Sequence, residues 1–184
     1  WSYHFLSSDI ADVYSGPGST LTVDILAESL PPIVNSSDGG INGFDVTIRY
    51  DNTILNATSA GFNGPLCSQL EVTCLFDRPE AFSLIQQPIN QTSGTVRIAV
   101  VLLQATVDGS GTLFRISFEV IGTGFTLINI DDSVSKLVGP IGTGQIRDIP
   151  YKAVDGSVDN RIPFALSTDP ASASILPGQS ITTS

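Results

Sequence analysis

Oxygen-bearing side chains in two short segments are the strongest candidates for chemistry in this 184-residue sequence. The segments NIDDS and DGSVDN contain Asn129, Asp131, Asp132, Asp155, Asp159 and Asn160. Calcium binds clustered carboxylate and amide oxygens, so a structural calcium ion is one interpretation of these residues. Neither segment has the ligand spacing of an EF-hand loop, and Asp and Asn are also common turn residues. We therefore favour turn formation over a metal site, and no other cofactor is expected.

Residues that could catalyse a reaction are few and scattered. The single histidine, His4, lies at the start of the chain, whereas a catalytic triad needs it beside a nucleophile and a carboxylate. A glycosidase needs two carboxylates that face each other across a cleft. The glutamates are Glu28, Glu71, Glu80 and Glu119, and no spacing selects a pair among them. The sequence thus predicts a protein that is not an enzyme.

The two cysteines, Cys67 and Cys74, lie close together in CSQLEVTC. No histidine or further cysteine lies at the spacing of a zinc site. A disulfide that closes a small loop is the favoured interpretation, and two free thiols are the alternative. Because disulfides persist mainly outside the cytosol, the pair predicts an extracellular or cell-surface protein.

Three Asn-x-Ser/Thr sequons, at Asn35, Asn56 and Asn90, agree with that location. Each lies in or beside a predicted loop, where a covalent N-glycan can be accommodated. One or two sequons are expected by chance in a chain so rich in Ser and Thr, and the third adds weight to the argument from the cysteines. We therefore expect a glycoprotein.

The composition is typical of a secreted β-protein and excludes two classes of function. The net charge is −10 with eight basic residues, so nucleic-acid binding is not expected, because phosphates would be repelled. No apolar run approaches the roughly 20 residues that span a bilayer, so no membrane span is expected. The chain begins at Trp1 without a methionine, and we expect it to be processed or excised from a longer protein.

Apolar and polar residues alternate along most of the chain with the period of two that β-strands have. In TLFRISFEVI, the residues predicted to face inward are Phe114, Ile116, Phe118 and Val120. The segments FDVTIRY and GTVRIAVVLL repeat the pattern, and the second is apolar on both faces towards its end, which predicts a central strand. Dense turn signals separate these segments, and the only helix candidate is a short turn in DRPEAFSLIQQ, with Pro79 at its start. The sequence predicts an all-β sandwich or jelly roll.

The N-terminal segment WSYHFL places three aromatic residues, Trp1, Tyr3 and Phe5, on one face of an extended strand. Such a face rarely stays in water. It is expected to pack against the protein's own core or against a neighbouring molecule.

The C-terminal residues 162–184 are rich in hydroxyl side chains and carry a weak alternation through Ile175 and Ile181. They are interpreted either as the first strands of a further domain or as an extended tail. The predicted division is therefore an N-terminal strand or arm (1–10), a sandwich (11–161) and this last segment.

Five segments, taken in order, resemble the cohesin-like domains of the carbohydrate-binding-module superfamily. They are GPGSTLTVDILAESLP, GINGFDVTIRYDNTILNATSAGF, SGTVRIAVVLL, GSGTLFRISFEVIGTG and AVDGSVDN. The matching positions are Gly40, Gly43, Phe44, Tyr50, Asp51, Leu55, Gly111, Leu113, Ile116, Phe118 and Val120. The resemblance covers roughly residues 10–160 and implies a jelly-roll β-sandwich of about nine strands in an extracellular protein. The tail from Phe164 onwards resembles the start of Ig-like modules of secreted multidomain proteins.

The resemblance implies two kinds of function. In cohesins one sheet face binds the dockerin helices of cellulosomal enzymes, while relatives bind sugars or serve as structural modules. Our first hypothesis is a non-catalytic structural module of a surface glycoprotein that assembles into a fibre or array with copies of itself or neighbouring domains. Residues 1–6 or 175–181 would supply a strand to the neighbour. The alternative is a recognition module for a dockerin-like partner or a polysaccharide.

Overall fold

The protein is built from β-strands, as the computed structural model shows. The structure describes residues 5–10, 16–35, 38–67, 74–141 and 145–161. For residues 5–10 it describes only the strand pairing. In chain order the strands are β1 (Phe5–Ile10), β2 (Thr20–Leu30), β3 (Gly43–Arg49), β4 (Leu55–Gly61), β5 (Ala81–Ser83), β6 (Ile89–Asn90), β7 (Thr95–Leu102), β8 (Gly109–Val120), β9 (Phe125–Ile130), β10 (Lys136–Ile141), β11 (Gln145–Ile149), β12 (Lys152–Val154) and β13 (Gly156–Asp159). A 3₁₀ helix of one turn spans Gly64–Leu66. Among the described residues there is no helix with the length and apolarity that crossing a bilayer requires.

The strands form two layered sheets. The smaller sheet has the order β12-β1-β2-β8-β4, in which β1 runs parallel to β12 and the other neighbours are antiparallel. The larger sheet has the order β11-β10-β3-β7-β5, with β6 also paired to β7 and β9 joining β3 to β13. This confirms the predicted all-β jelly-roll sandwich. More than nine segments appear because short stretches such as β5, β6 and β12 pair as separate strands.

Inward-facing side chains of the two sheets meet in one apolar core. From Phe114 to the end of β8 the buried residues are Phe114, Ile116, Phe118 and Val120, as the alternation predicts, and Thr112 and Leu113 before them are buried as well. Phe44 of β3 stacks on Phe114 with the ring centroids 5.8 Å apart, which joins the larger sheet to the smaller one. Burying a side chain of this size contributes about 1.5–3 kcal/mol, so the two-residue period is what holds the layers together.

The long segment between β4 and β7 is anchored in this core. Its disulfide joins Cys67 to Cys74, whose Cα atoms lie 5.3 Å apart, which confirms the predicted pairing. The backbone N–H of Leu75 then donates a hydrogen bond to β8 over 2.8 Å. The next residue, Phe76, is fully buried with its ring edge-on to Phe44. The segment is therefore an ordered part of the sandwich at both cysteines.

The only helix candidate, the short turn in DRPEAFSLIQQ, does not form a helix. Pro79 lies in a turn, and Ala81–Ser83 forms β5, which pairs antiparallel with β7 so that Phe82 lies opposite Val101. The backbone N–H of Leu84 extends this pairing with a hydrogen bond to β7 over 2.8 Å. Pairing with the open edge of β7 satisfies backbone groups on both segments, and this outweighs the local preference for a helical turn.

The N-terminal segment belongs to the smaller sheet. From Phe5 onwards β1 pairs with β2 on one side and with β12 on the other. Four further residues that we predict to mediate assembly, Trp1, Tyr3, Ile175 and Ile181, lie outside the described residues. The division of the chain into three segments stays a prediction.

Candidate functional site

Asp155, predicted as a calcium ligand, makes two hydrogen bonds that join the loop before β13 to β9. Its carboxylate accepts from Nδ2 of Asn129 over 2.8 Å and from the backbone N–H of Ile130 over 2.9 Å. Asp155 lies in the loop between β12 and β13, and Asn129 and Ile130 are residues of β9, so both bonds connect distant parts of the chain. The carboxylate of Asp155 is thus engaged with donors of the protein itself.

Asp131 lies in the turn after β9 and is also engaged. It accepts a hydrogen bond from Oγ of Ser133 over 2.5 Å and forms an ion pair with Arg49 of β3 over 2.7 Å. The bond from Ser133, followed by that from Arg49, holds the pKa of Asp131 below its ordinary value. The neighbouring Asp132 is exposed. Within the described ranges, no group of three or more His, Cys, Asp or Glu side chains is placed to share a metal ion.

Asp159 and Asn160 fix the end of the last strand. Asn160 is buried, its Oδ1 accepts from the N–H of Gly124 over 2.6 Å, and its Nδ2 donates to the carbonyl of Gly122 over 2.7 Å. Asp159 is exposed and accepts two hydrogen bonds from the guanidinium of Arg161, over 2.6 and 2.8 Å. Asp159 thus bonds within its own turn, whereas Asn160 joins the end of β13 to the loop between β8 and β9.

The pairing of Asp159 with Arg161 gives a prediction for acid solution. Hydrogen bonds from Arg161 lower the pKa of Asp159 from 3.8 to about 2. Because the folded-state pKa is the lower one, the pair stabilises the fold above pH 3.8 and this contribution is lost as the pH falls towards about 2. NMR titration of the Asp159 carboxyl should give a midpoint of about 2, which the Arg161→Ala variant should return towards 3.8. The same midpoint in both proteins would show that the pair does not form in solution.

The three sequons lie at different places on the sandwich. Asn35 is exposed in a tight loop in which its backbone pairs with that of Asp38. Asn56 is the half-buried second residue of β4, an edge strand of the smaller sheet. Asn90 is exposed at the end of β6, on an edge of the larger sheet. Glycosylation of all three stays a prediction.

Apolar side chains form a row across the outer surface of the larger sheet. Phe82 of β5 lies opposite Val101 of β7, which lies opposite Gly43 of β3, which in turn lies opposite Val138 of β10. These positions alternate with the buried residues of their strands, so they face away from the core. Phe82 is 52% exposed, and Val101 and Val138 are half-buried.

Two further apolar residues flank this row on the same face of the sheet. Leu84, beyond β5 and beside Ala99, is 63% exposed, and Ile146 of β11, opposite Pro140, is 61% exposed. We call this surface the apolar outer face and define it by Phe82, Leu84, Val101, Val138 and Ile146. Large apolar side chains grouped on one exposed face of a sheet mark interaction sites.

Ion pairs border the apolar outer face. Asp45 of β3 accepts two hydrogen bonds from Arg97 of β7, over 2.6 and 2.9 Å. On the same side of the row, Lys136 of β10 lies opposite Asp45, and its Nζ is 3.7 Å from a carboxylate oxygen of Asp148, the residue opposite Val138 on β11. Charged residues beside an apolar centre are a common feature of protein–protein interfaces.

Gly43 allows β3 and β10 to approach closely at the middle of the row. A Cβ atom at this position would lie 2.9 Å from Cγ2 of Val138 and 3.0 Å from the carbonyl oxygen of Val100. Any larger residue would therefore push Val138 away from its neighbours. The absence of a side chain at Gly43 thus leaves space for Val138 on the apolar outer face.

Solved structures of known proteins identify this fold. The sequence matches no family model and no curated protein. The sixth cohesin of scaffoldin B from Acetivibrio cellulolyticus, solved in complex with a mutant Cel5 dockerin, matches with a TM-score of 0.57 at 17% identity over 86% of this chain and 99% of that chain. The fold is that of a cohesin domain.

Two further cohesins agree with this assignment. The type I complex of Coh-OlpA with Doc918 from Clostridium thermocellum matches with a TM-score of 0.56 at 15% identity, over 86% of this chain and 99% of that chain. A non-cellulosomal cohesin from the hyperthermophilic archaeon Archaeoglobus fulgidus gives a TM-score of 0.53 at 11% identity, over 85% of this chain and 89% of that chain. At identities this low, the similarity shows only a shared fold. It is the cohesin fold that the sequence motifs predict.

The apolar outer face of this cohesin-like sandwich is not apparent from the sequence. One signal for it is the alternation of Phe82 and Leu84, which lies inside the segment that contains the only helix candidate. The other is the second apolar set of β7, Ala99 and Val101, from which the sequence predicts a central strand. β7 does have partners on both sides, β3 and β5, and its second apolar set lies on the outer face of the larger sheet, where Ala99 is buried and Val101 is half-buried.

Proposed function

We propose that this chain is a non-catalytic, extracellular recognition module that binds a dockerin-like protein through its apolar outer face. The observation that carries the proposal is the row from Phe82 to Val138, which crosses four strands and leaves Phe82 exposed and Val101 and Val138 partly exposed. Such a patch gains free energy when a partner covers it, because apolar area is removed from water. Two of the similar structures are cohesins in complex with dockerins, which favours a partner of that class.

The dimensions of the face suit a helical partner. Neighbouring strands lie about 4.8 Å apart, so the four strands of the row span about 14 Å. A helix with its side chains is about 10–12 Å wide and can lie on such a row. Its apolar stripe would contact Val101 and Val138, while the rim residues Arg97 and Lys136 could pair with its carboxylates. A polysaccharide would be held mainly by aromatic rings, and Phe82 is the one aromatic residue of this face.

The extracellular location is supported by the disulfide between Cys67 and Cys74. Thiols in the cytosol are kept reduced, whereas a secreted or surface protein keeps such a bond. A short closed loop of this kind stabilises the fold by about 2–3 kcal/mol. We therefore propose that the recognition module acts outside the cytosol, where its disulfide persists.

Assembly into a fibre or array has less support from the N-terminal segment. β1 already pairs with β2 and β12, so donation of residues 1–6 to a neighbour would require removal of paired residues from the chain's own sheet. Donation of residues 175–181 stays a prediction, because they lie outside the described part of the chain.

Binding should depend on Val101 at the centre of the row. In Val101→Asp the new carboxylate would be buried without a partner under a bound dockerin, which costs several kcal/mol and should weaken binding at least about 100-fold. Isothermal titration against a panel of dockerin domains measures the loss. The matched control is Thr22→Asp, which adds the same charge at an exposed position of β2 in the smaller sheet and should bind as the wild type does.

Two outcomes would overturn the proposal. One is that the wild-type protein binds no dockerin domain of the panel. The other is that Val101→Asp and Thr22→Asp bind equally well although both are folded by circular dichroism. Titration with polysaccharides tests the alternative, which gains support if a polysaccharide binds and Val101→Asp leaves its affinity unchanged.

A further inference from the structure

The edges of the two sheets meet on one side of the sandwich, at β4 and β6. Nε2 of Gln91, in the turn after β6, donates a hydrogen bond to the carbonyl of Ala57 in β4 over 3.2 Å. Nδ2 of Asn52 donates to the carbonyls of Gln91 and Thr92, over 2.9 and 3.1 Å. Side-chain amides thus hold this turn against β4, and the sequon of Asn90 begins at the same junction.

A crevice of about 530 Å³ opens between β4 and this turn. Its polar walls are formed by Thr58, Gln87, Asn90, Gln91 and Thr92. The volume falls within the range of about 300–1,000 Å³ that small-molecule sites have. Hydroxyl and amide side chains both donate and accept hydrogen bonds, which is what the hydroxyl and acetamido groups of a sugar require. The described lining carries no charged side chain, so it suits a neutral sugar.

Asn90 presents the atom to which a glycan would be attached. Its Oδ1 accepts a hydrogen bond from the backbone N–H of Ser93 over 3.2 Å, which orients the amide. Its Nδ2 makes no hydrogen bond to any residue that the structure describes. Thr92, which completes the sequon, is exposed and borders the crevice.

We propose that Asn90 carries an N-glycan whose innermost sugar lies in this crevice and covers the neighbouring edges of β4 and β6. Edge strands offer unpaired backbone groups to other chains, and a bulky hydrophilic glycan blocks such strand addition. From Thr95, opposite Asn90, to Val101 the distance along β7 is about 20 Å. The glycan therefore protects one side of the sandwich and leaves the apolar outer face accessible.

The attachment is a glycosyl transfer to Asn90. Nδ2 attacks the anomeric carbon of an oligosaccharide carried on a polyprenyl diphosphate. The new N–C bond forms as the C–O bond to the diphosphate breaks, the lipid diphosphate leaves with the electron pair, and the amide loses one proton. The proposal rests on the extracellular location given above, because the transfer takes place on the secretory side of a membrane, but it does not depend on dockerin binding.

The test uses the full chain secreted from a eukaryotic host that performs N-glycosylation. Thr92→Ala destroys the sequon and keeps Asn90 and its bond to Ser93, whereas Thr92→Ser keeps the sequon and is the matched control. Glycopeptide mass spectrometry should find a glycan on Asn90 in the wild type and in Thr92→Ser, with complete loss in Thr92→Ala. Backbone amides at the edges of β4 and β6 should exchange about tenfold more slowly in the glycosylated proteins, the equivalent of about 1.4 kcal/mol.

Asn90 without a glycan in the secreted wild-type protein would overturn the proposal. A glycan on Asn90 with equal exchange rates in Thr92→Ser and Thr92→Ala would also overturn it, because the sugar would then lie outside the crevice. Neither measurement involves a dockerin, so failure of the binding proposal is seen separately in the titrations described above.

Discussion

Replacing Phe76 with alanine should lower the free energy of unfolding by about 3–5 kcal/mol, the usual cost of removing a fully buried aromatic ring. The ring of Phe76 is edge-on to that of Phe44, with the centroids 4.8 Å apart. Phe44 in turn stacks on Phe114 of the other sheet, so the cavity would open beside the contact between the layers. Urea denaturation measures the loss, and the midpoint of thermal unfolding should fall by about 10 °C.

Phe82→Ala is the matched control for this prediction. Phe82 belongs to the same segment between β4 and β7, but its side chain is 52% exposed. Its removal should therefore change the free energy of unfolding by less than about 1 kcal/mol. Equal losses in Phe76→Ala and Phe82→Ala would show that the segment is not anchored through its buried ring.

Arg115→Ala should lower the free energy of unfolding by about 2–3 kcal/mol, slightly less than the roughly 3–5 kcal/mol for breaking a fully buried ion pair, because this pair is partly exposed. Arg115 of β8 donates two hydrogen bonds to the carboxylate of Asp24 on β2 and one to the carbonyl of Leu66 over 3.2 Å. The Arg115 and Asp24 side chains are only 14% and 19% exposed. Loss of the guanidinium leaves a largely desolvated carboxylate without its partner. Urea denaturation should show this cost with little dependence on salt, because buried charges are poorly screened.

The control for this pair is Arg97→Ala. Arg97 makes a similar bidentate contact with Asp45, but its side chain is 54% exposed. We expect a loss below about 1 kcal/mol that shrinks further as salt is added. Removing both members of the inner pair, in Asp24→Ala with Arg115→Ala, should recover part of the stability lost in the single variant. If Arg115→Ala and Arg97→Ala lower the free energy of unfolding equally, burial does not make the inner ion pair more stabilising than the exposed one.

These two contacts also bear on the proposed binding face. Arg115 fixes the start of the disulfide-tied segment through Leu66, and Phe76 fixes it just after Cys74. The chain then continues directly into β5, where Phe82 joins the apolar outer face. Loosening either contact should therefore weaken partner binding indirectly, through the position of Phe82.

The sequence by itself determines the features that arise locally. The burial of Phe114, Ile116 and Phe118 follows from the period of two, because successive side chains of a strand point to opposite faces. The disulfide follows from two cysteines that are close in the chain and have no other partner. The bond from the backbone N–H of Arg161 to the carboxylate of Asp159, two residues earlier, follows from a side chain short enough to reach a neighbouring backbone group.

The tertiary structure decides which apolar residues are exposed at the surface of the protein. Phe82, Val101 and Val138 are distant in the sequence and meet only because β5, β7, β3 and β10 pair in one register. Backbone hydrogen bonds between strands are nearly independent of side-chain identity, so alternation specifies two faces for each strand but neither its neighbours nor which face is covered. The same reason explains β5, whose residues formed a strand once the edge of β7 was available to pair with them. The candidate binding face is thus a property of strand order and register, built from residues whose local sequence predicts only that they are apolar.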